Sequence, residues 1–124
     1  MDCLFCKMVN KEIECKKIYE DDLVIAILDL HPDSNCHTLI IPKKHYEDFT
    51  KLDNDILIHI NEVAKKLAPV LIEKANATSL SIRINYKDSQ YIKHYHMHLL
   101  PDYQFKKCTI TQEEAYELLK DSFK

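Results

Sequence analysis

The chain holds 124 residues at 14.6 kDa, 46% hydrophobic and 30% charged, which allows one ordinary core and is too short for two. A formal charge of -3 argues against binding to nucleic acid, which needs clustered positive surface, so lysine pairs such as Lys16/Lys17 and Lys43/Lys44 read as solvated faces. No run approaches the roughly 18 unbroken apolar residues of a membrane span, and "MDCLFCK" lacks the basic-then-apolar layout of a secretory signal, so a soluble cytoplasmic protein without membrane contact is expected.

Cys3 and Cys6 open the chain in C-x-x-C spacing. With an odd total of five cysteines, that spacing suits a metal or redox use better than a disulfide framework. A short helical turn is predicted over "CLFCKMVN". The β-branched runs "KKIYE" and "LVIAILDL", split by "EDD", predict a hairpin, and "HTLIIP" a third strand closed by Pro42. From Asp53, a candidate N-cap, apolar residues recur at three- and four-residue steps (Ile56, Ile60, Val63, Leu67, Val70, Leu71), the signature of an amphipathic helix. Pro69 should kink or stop that helix, because its ring clashes with the preceding turn and it has no N–H to donate. "SLSIRIN" and "KHYHMHLLP" predict two more strands. Thr111 and Glu114 stand in capping-box register at the head of a terminal helix. Nothing marks a domain boundary, so the expectation is a single α+β domain over 1–124, an antiparallel five-stranded sheet with one long helix and a short C-terminal one.

The sequence has no glycine, where average usage of about 7% would supply roughly eight or nine. Left-handed backbone positions should therefore fall to Asn or Asp in "PDSNC", "EKANATS" and "NYKDSQ", whose short polar side chains tolerate that region best.

The chemistry concentrates in "KHYHMHLLPDY". On a strand, His94, His96 and His98 share one face while Tyr95, Met97 and Leu99 share the other. Neighbouring imidazoles, about 7 Å apart, can share one ion; His94 and His98, about 13 Å apart on an extended strand, cannot. A row of imidazoles thus serves either as ligands to a hydrolytic metal or as a nucleophile flanked by groups that stabilise charge on phosphate oxygens.

The run "CLFCKMVNKEIECKKIYEDDLVIAILDLHPDSNCHTLIIPKKHYEDF", followed by "HYHMHLLP", resembles the histidine triad (HIT) family, in particular its nucleotide-binding Hint branch. The resemblance implies a hydrolase that cleaves purine nucleoside phosphoramidates, or related AMP or GMP conjugates, through a covalent nucleotidyl-histidine. A dinucleoside polyphosphate hydrolase and a nucleotide-binding or scaffolding protein with little catalysis are the alternatives it leaves. It makes His96 the nucleophile and has His98 and His37 contact phosphate oxygens or the leaving group. Asp29 would accept the ribose hydroxyls, Ile18, Tyr19, Ile27 and Leu30 would form an apolar base slot, and Asn85, Ser89 and Gln90 would belong to a phosphate loop. It further implies a structural zinc ion on Cys3, Cys6, His45 and His94, no organic cofactor, and a homodimer. Two departures stand out: Cys36 replaces the family's glycine before the histidine of "HTL", and the phosphate loop is shortened and glycine-free, with Tyr91 where a serine is expected.

Overall fold

The computed structural model describes residues 3–103 and 107–124. It contains helix α1 (Leu4–Val9), strands β1 (Lys17–Glu20), β2 (Val24–Leu28) and β3 (Thr38–Pro42), helix α2 (Asn54–Lys74), strands β4 (Leu80–Arg83) and β5 (Met97–Pro101), and helix α3 (Gln112–Leu119). The strands form one antiparallel sheet in the order β1-β2-β3-β5-β4, so β4 is an edge. No helix among the described residues is long and apolar enough to cross a membrane.

The central strands are continuous apolar runs because both sheet faces are covered. On one face, Val24, Ala26, Leu28, Ile40, Met97 and Leu99 pack beneath Ile60, Val63, Ala64, Leu67 and Leu71 of α2 and Ala115 and Leu119 of α3. On the other, Ile25, Ile27, Leu39 and Ile41 pack with Cys3 and Phe5, which α1 lays over the sheet. The "EDD" turn forms because the Asp21 carboxylate accepts N–H groups of Leu23 and Val24 at 2.8 and 2.9 Å. The Thr111/Glu114 capping box closes as expected, at 3.1 and 3.0 Å.

Three expectations are corrected. The long helix runs through Pro69 to Lys74 without a stop. Pro69 and Lys65, whose carbonyl the ring strips of its partner, both lie on the exposed face, where water can satisfy that carbonyl. Left-handed backbone falls on Asn76 and Asp102 but also on Lys11, Cys36 and Lys87. At Cys36 the neighbouring Asn35 is already committed, its amide bonding Thr109 and Ile110 and tying down the approach to α3. Finally, regular strand structure in "KHYHMHLLP" begins only at Met97, so His94 and His96 precede β5. The alternation nevertheless persists: Tyr95, Met97 and Leu99 enter the core under α2, whereas His98 pairs with Leu39 and His96 packs edge-on to Phe5, on the α1 side.

Candidate active site and candidate metal centre

Five of the seven histidines divide into two clusters on the α1 side of the sheet, and backbone hydrogen bonds to the rings of His94, His96 and His37 decide where their protons sit. His94 Nε2 lies 2.8 Å from the Pro42 carbonyl, an acceptor only, so Nε2 carries the proton and Nδ1 presents a lone pair. That lone pair faces Cys3 Sγ at 3.3 Å, Cys6 Sγ at 3.5 Å and His45 Nδ1 at 3.1 Å, and Cys6 Sγ stands 3.4 Å from His45 Nδ1. Four N and S donors around a tetrahedral ion, with bonds of about 2.0–2.3 Å, would be separated by about 3.3–3.8 Å. The cluster Cys3, Cys6, His45 and His94 therefore fits a small tetrahedral cation with no fifth group required. Cys3 is placed by its role at the head of α1, where Sγ accepts the Cys6 N–H at 3.4 Å. Burial, aided by the Cys3 thiol, pushes Cys6 up to about 11, and burial pushes His94 down to about 4, so a cation binding here must release thiol protons but none from His94.

His96 has the opposite arrangement. Its Nδ1 donates to the His94 carbonyl at 2.8 Å, which leaves the Nε2 lone pair without a backbone partner. His37 Nδ1 accepts the Asp33 N–H at 3.1 Å, so a neutral His37 must carry its proton on Nε2 and donate it to His98 Nδ1 at 2.9 Å. His98 then holds its own proton on Nε2; the Asn85 amide nitrogen stands 3.5 Å from it, so the amide must turn over to present Oδ1 as the acceptor. Asp29 lies just beyond β2, its Oδ1 accepting the His31 N–H at 2.8 Å and its Oδ2 3.6 Å from His37 Nε2. Burial lowers the pKa of His37, His96 and His98, the last to about 3 with help from its neighbouring imidazoles, so all three rings are neutral at pH 7.

Asp29, His37 and His98 are close enough to be mistaken for a second metal site. The tautomer argues otherwise, because the one lone pair of a neutral His37 is spent on the Asp33 N–H and a cation at Nε2 would have to displace that bond.

The expected nucleotide contacts are only partly brought together. Ile27 lies on the histidine side, Asp29 follows at the strand end, and Leu30 is 70% exposed. Ile18 and Tyr19 are not with them. A register irregularity in β1 sends both into the cluster beneath α2, where Lys66 covers the Tyr19 ring. What accompanies Ile27 instead is α1: Phe5 is buried against His94 and His96, and Met8 packs on the same cluster with exposed Leu4 one turn before it. The i, i+4 spacing of Leu4 and Met8 carried that signal in the sequence. In the loop, Asn85 alone of the expected residues reaches the triad. Ser89 Oγ closes a turn on Tyr86, Gln90 Nε2 donates to the Glu47 carbonyl at 2.6 Å, and Tyr91 is 96% exposed.

Comparison with known proteins agrees with this geometry. A family profile described as "HIT domain" matches residues 10–105. The chain is similar to an adenosine 5'-monophosphoramidase of Schizosaccharomyces pombe, 36% identical over 105 residues that cover 82% of this chain and 74% of the relative. It is also similar to an adenylylsulfatase of Arabidopsis thaliana, 32% identical over 102 residues, 81% of this chain but 52% of that longer protein. Among solved structures, a zinc-bound histidine triad family protein from Mycobacterium smegmatis superposes with a TM-score of 0.87 at 30% identity, covering 97% of this chain and 91% of its own.

Proposed function

The chain belongs to the HIT domain family, and on that premise we propose that it is a nucleotide-binding hydrolase that cleaves nucleoside monophosphate conjugates through a nucleotidyl-His96 intermediate. The observation that carries this reading is the His96 ring itself: Nδ1–H is held by the His94 carbonyl, Nε2 is bare, and burial keeps the ring neutral. In the first half-reaction Nε2 donates its lone pair to phosphorus, and the bond from phosphorus to the leaving group breaks. An amine leaving group takes the electron pair and a proton drawn from solvent, while His98 Nε2–H, held in that tautomer by His37, donates a hydrogen bond to a phosphoryl oxygen. In the second half-reaction water attacks phosphorus, the P–N bond returns its pair to His96, and the proton lost by the water returns to solvent. The nucleoside monophosphate is released.

In this reading Asp29, just beyond β2, accepts the ribose hydroxyls, and Ile27, with Leu4 and Met8 of α1, forms an apolar bed for the base. Such a bed reads little hydrogen bonding and should discriminate weakly between purines. The metal cluster is assigned to structural zinc, which Cys3, Cys6, His45 and His94 would hold as two thiolates and two imidazoles; an ion there would pin the start of the chain to the sheet. The zinc-bound Mycobacterium relative supports the element. A homodimer joined along β4 fits the exposed Ile82 and Ile84, 54% and 44% accessible, on that edge. A sedimenting species near 14.6 kDa would refute the dimer.

The test is His96→Asn with an adenosine phosphoramidate as substrate. Loss of amine release with an unchanged fold supports the covalent reading; undiminished turnover removes His96 from the chemistry. The engagement of Ser89 within the loop and of Gln90 with the Glu47 carbonyl favours a second reading, a nucleotide binder with little catalysis. It predicts calorimetric binding of AMP with no turnover.

A further inference from the structure

Arg83 is the only arginine in the sequence, and the mechanism above leaves it unused. In the β4–β5 ladder it pairs directly with His98, so both side chains project from the same face of the sheet, about 5 Å apart at Cβ. Its guanidinium carries five N–H donors in a planar fork. One Nη2 contact reaches Asp33 Oδ2 at 3.3 Å, a single bond to a half-exposed carboxylate, and the ring of Tyr103 lies 5.4 Å from the guanidinium carbon. The Nε atom is buried and donates to nothing among the described residues. A partly exposed guanidinium tied to Asp33 by one long contact, beside the histidines of the site, keeps Nη N–H donors with which it could grip an oxyanion through two bonds.

We propose that Arg83 binds a tetrahedral oxyanion on the leaving group, so that this site favours nucleotide conjugates whose leaving group carries its own negative charge, of sulfate or phosphate type, over those that release an amine. The inference rests on the nucleotidyl-transfer reading above and names its substrate class. The chemistry of departure supplies the reason. An amine cannot leave without a proton, whereas a sulfate takes the electron pair of the breaking P–O bond and departs as a stable dianion, needing a cation nearby and no proton. His37 and His98 are neutral rings that burial and Arg83 itself both hold neutral, so the fixed positive charge on this side of the phosphorus belongs to Arg83. The similarity to an adenylylsulfatase is consistent with this.

The experiment compares kcat/KM for adenosine 5'-phosphosulfate and adenosine 5'-phosphoramidate in the wild type, Arg83→Gln, Arg83→Lys and Asp33→Asn. Arg83→Gln should lower the sulfate-to-amidate ratio by about 10- to 100-fold, the loss expected when a charge-assisted pair is removed. Arg83→Lys, which keeps the charge but loses the fork, should lower it several-fold and serves if the Gln variant does not fold. Asp33→Asn keeps the backbone N–H to His37 and frees the guanidinium, so the ratio should hold or rise. A ratio unmoved in the Arg83 variants, or one that falls as far in Asp33→Asn, would mean that Arg83 only braces the Asp33 loop and overturns the inference while leaving nucleotidyl transfer intact. A wild type that cleaves neither substrate overturns both.

Discussion

The two histidine clusters use the same side chain on the same sheet face and reach opposite chemistry, because backbone carbonyls and amides assign their protons differently. At His94 the Pro42 carbonyl takes Nε2–H and turns Nδ1 towards two thiols and a third ring nitrogen. At His37 the Asp33 amide takes the lone pair and turns Nε2–H towards His98. Four converging lone pairs or thiolates invite a cation, whereas an alternating donor–acceptor chain repels one. Counting histidines within reach of one another would not separate these cases, since the ligand atoms of each group lie within 4.8 Å of one another.

The sharpest break in the comparison comes from His96. His96→Asn should cost about 10³-fold or more in turnover and lower the melting temperature by only about a few degrees, because the buried ring makes one backbone bond and ring contacts with Phe5 and His98 alone. Steady-state kinetics and a thermal melt on the same preparation check both halves. The opposite pattern is expected at the other cluster: a chelator, or Cys6→Ser, should lower the melting temperature by about 10 °C or more, as loss of several kcal/mol of metal-linked stability implies. Molecules that stay folded should turn over normally. Loss of turnover from chelated protein that has not unfolded would instead place a catalytic metal in the site.

The next effect is on acid stability. His98 has a folded pKa near 3 against an ordinary value near 6.5, so between those values the unfolded chain binds more protons than the folded one. Stability is thus fully present above about pH 6.5 and is lost as the pH falls towards 3. Denaturant midpoints measured across that window should decline on acidification, and His98→Asn should flatten the slope. The smallest effect is expected from Asn85→Ala, which removes a single 3.5 Å contact to His98 and should reduce turnover only about two- to fivefold.

Most of the architecture was readable because it is written in local periodicity. The stripe of Ile60, Val63, Leu67 and Leu71, the Thr111/Glu114 box and the alternation of Tyr95, Met97 and Leu99 each depend on neighbours a few residues away. What local pattern could not carry depended on partners elsewhere. Ile18 and Tyr19 look like any hairpin residues, and only the irregular register against β2 directs them beneath α2. Pro69 reads as a helix breaker until its exposed position shows that water can take over the stranded carbonyl. Arg83 was passed over because a lone cation on a strand has no meaning until the register sets it opposite His98.

Composition, spacing and alternation determined the fold class and the helix and strand order, and singled out Cys3, Cys6 and the alternating histidines; His37 and His45 came only from the resemblance to the HIT family. The protonation of each ring was decided only by tertiary structure. A neutral imidazole has one donor and one acceptor nitrogen, and which is which follows from whether folding brings a carbonyl or an amide to its far side: Pro42 to His94, Asp33 to His37.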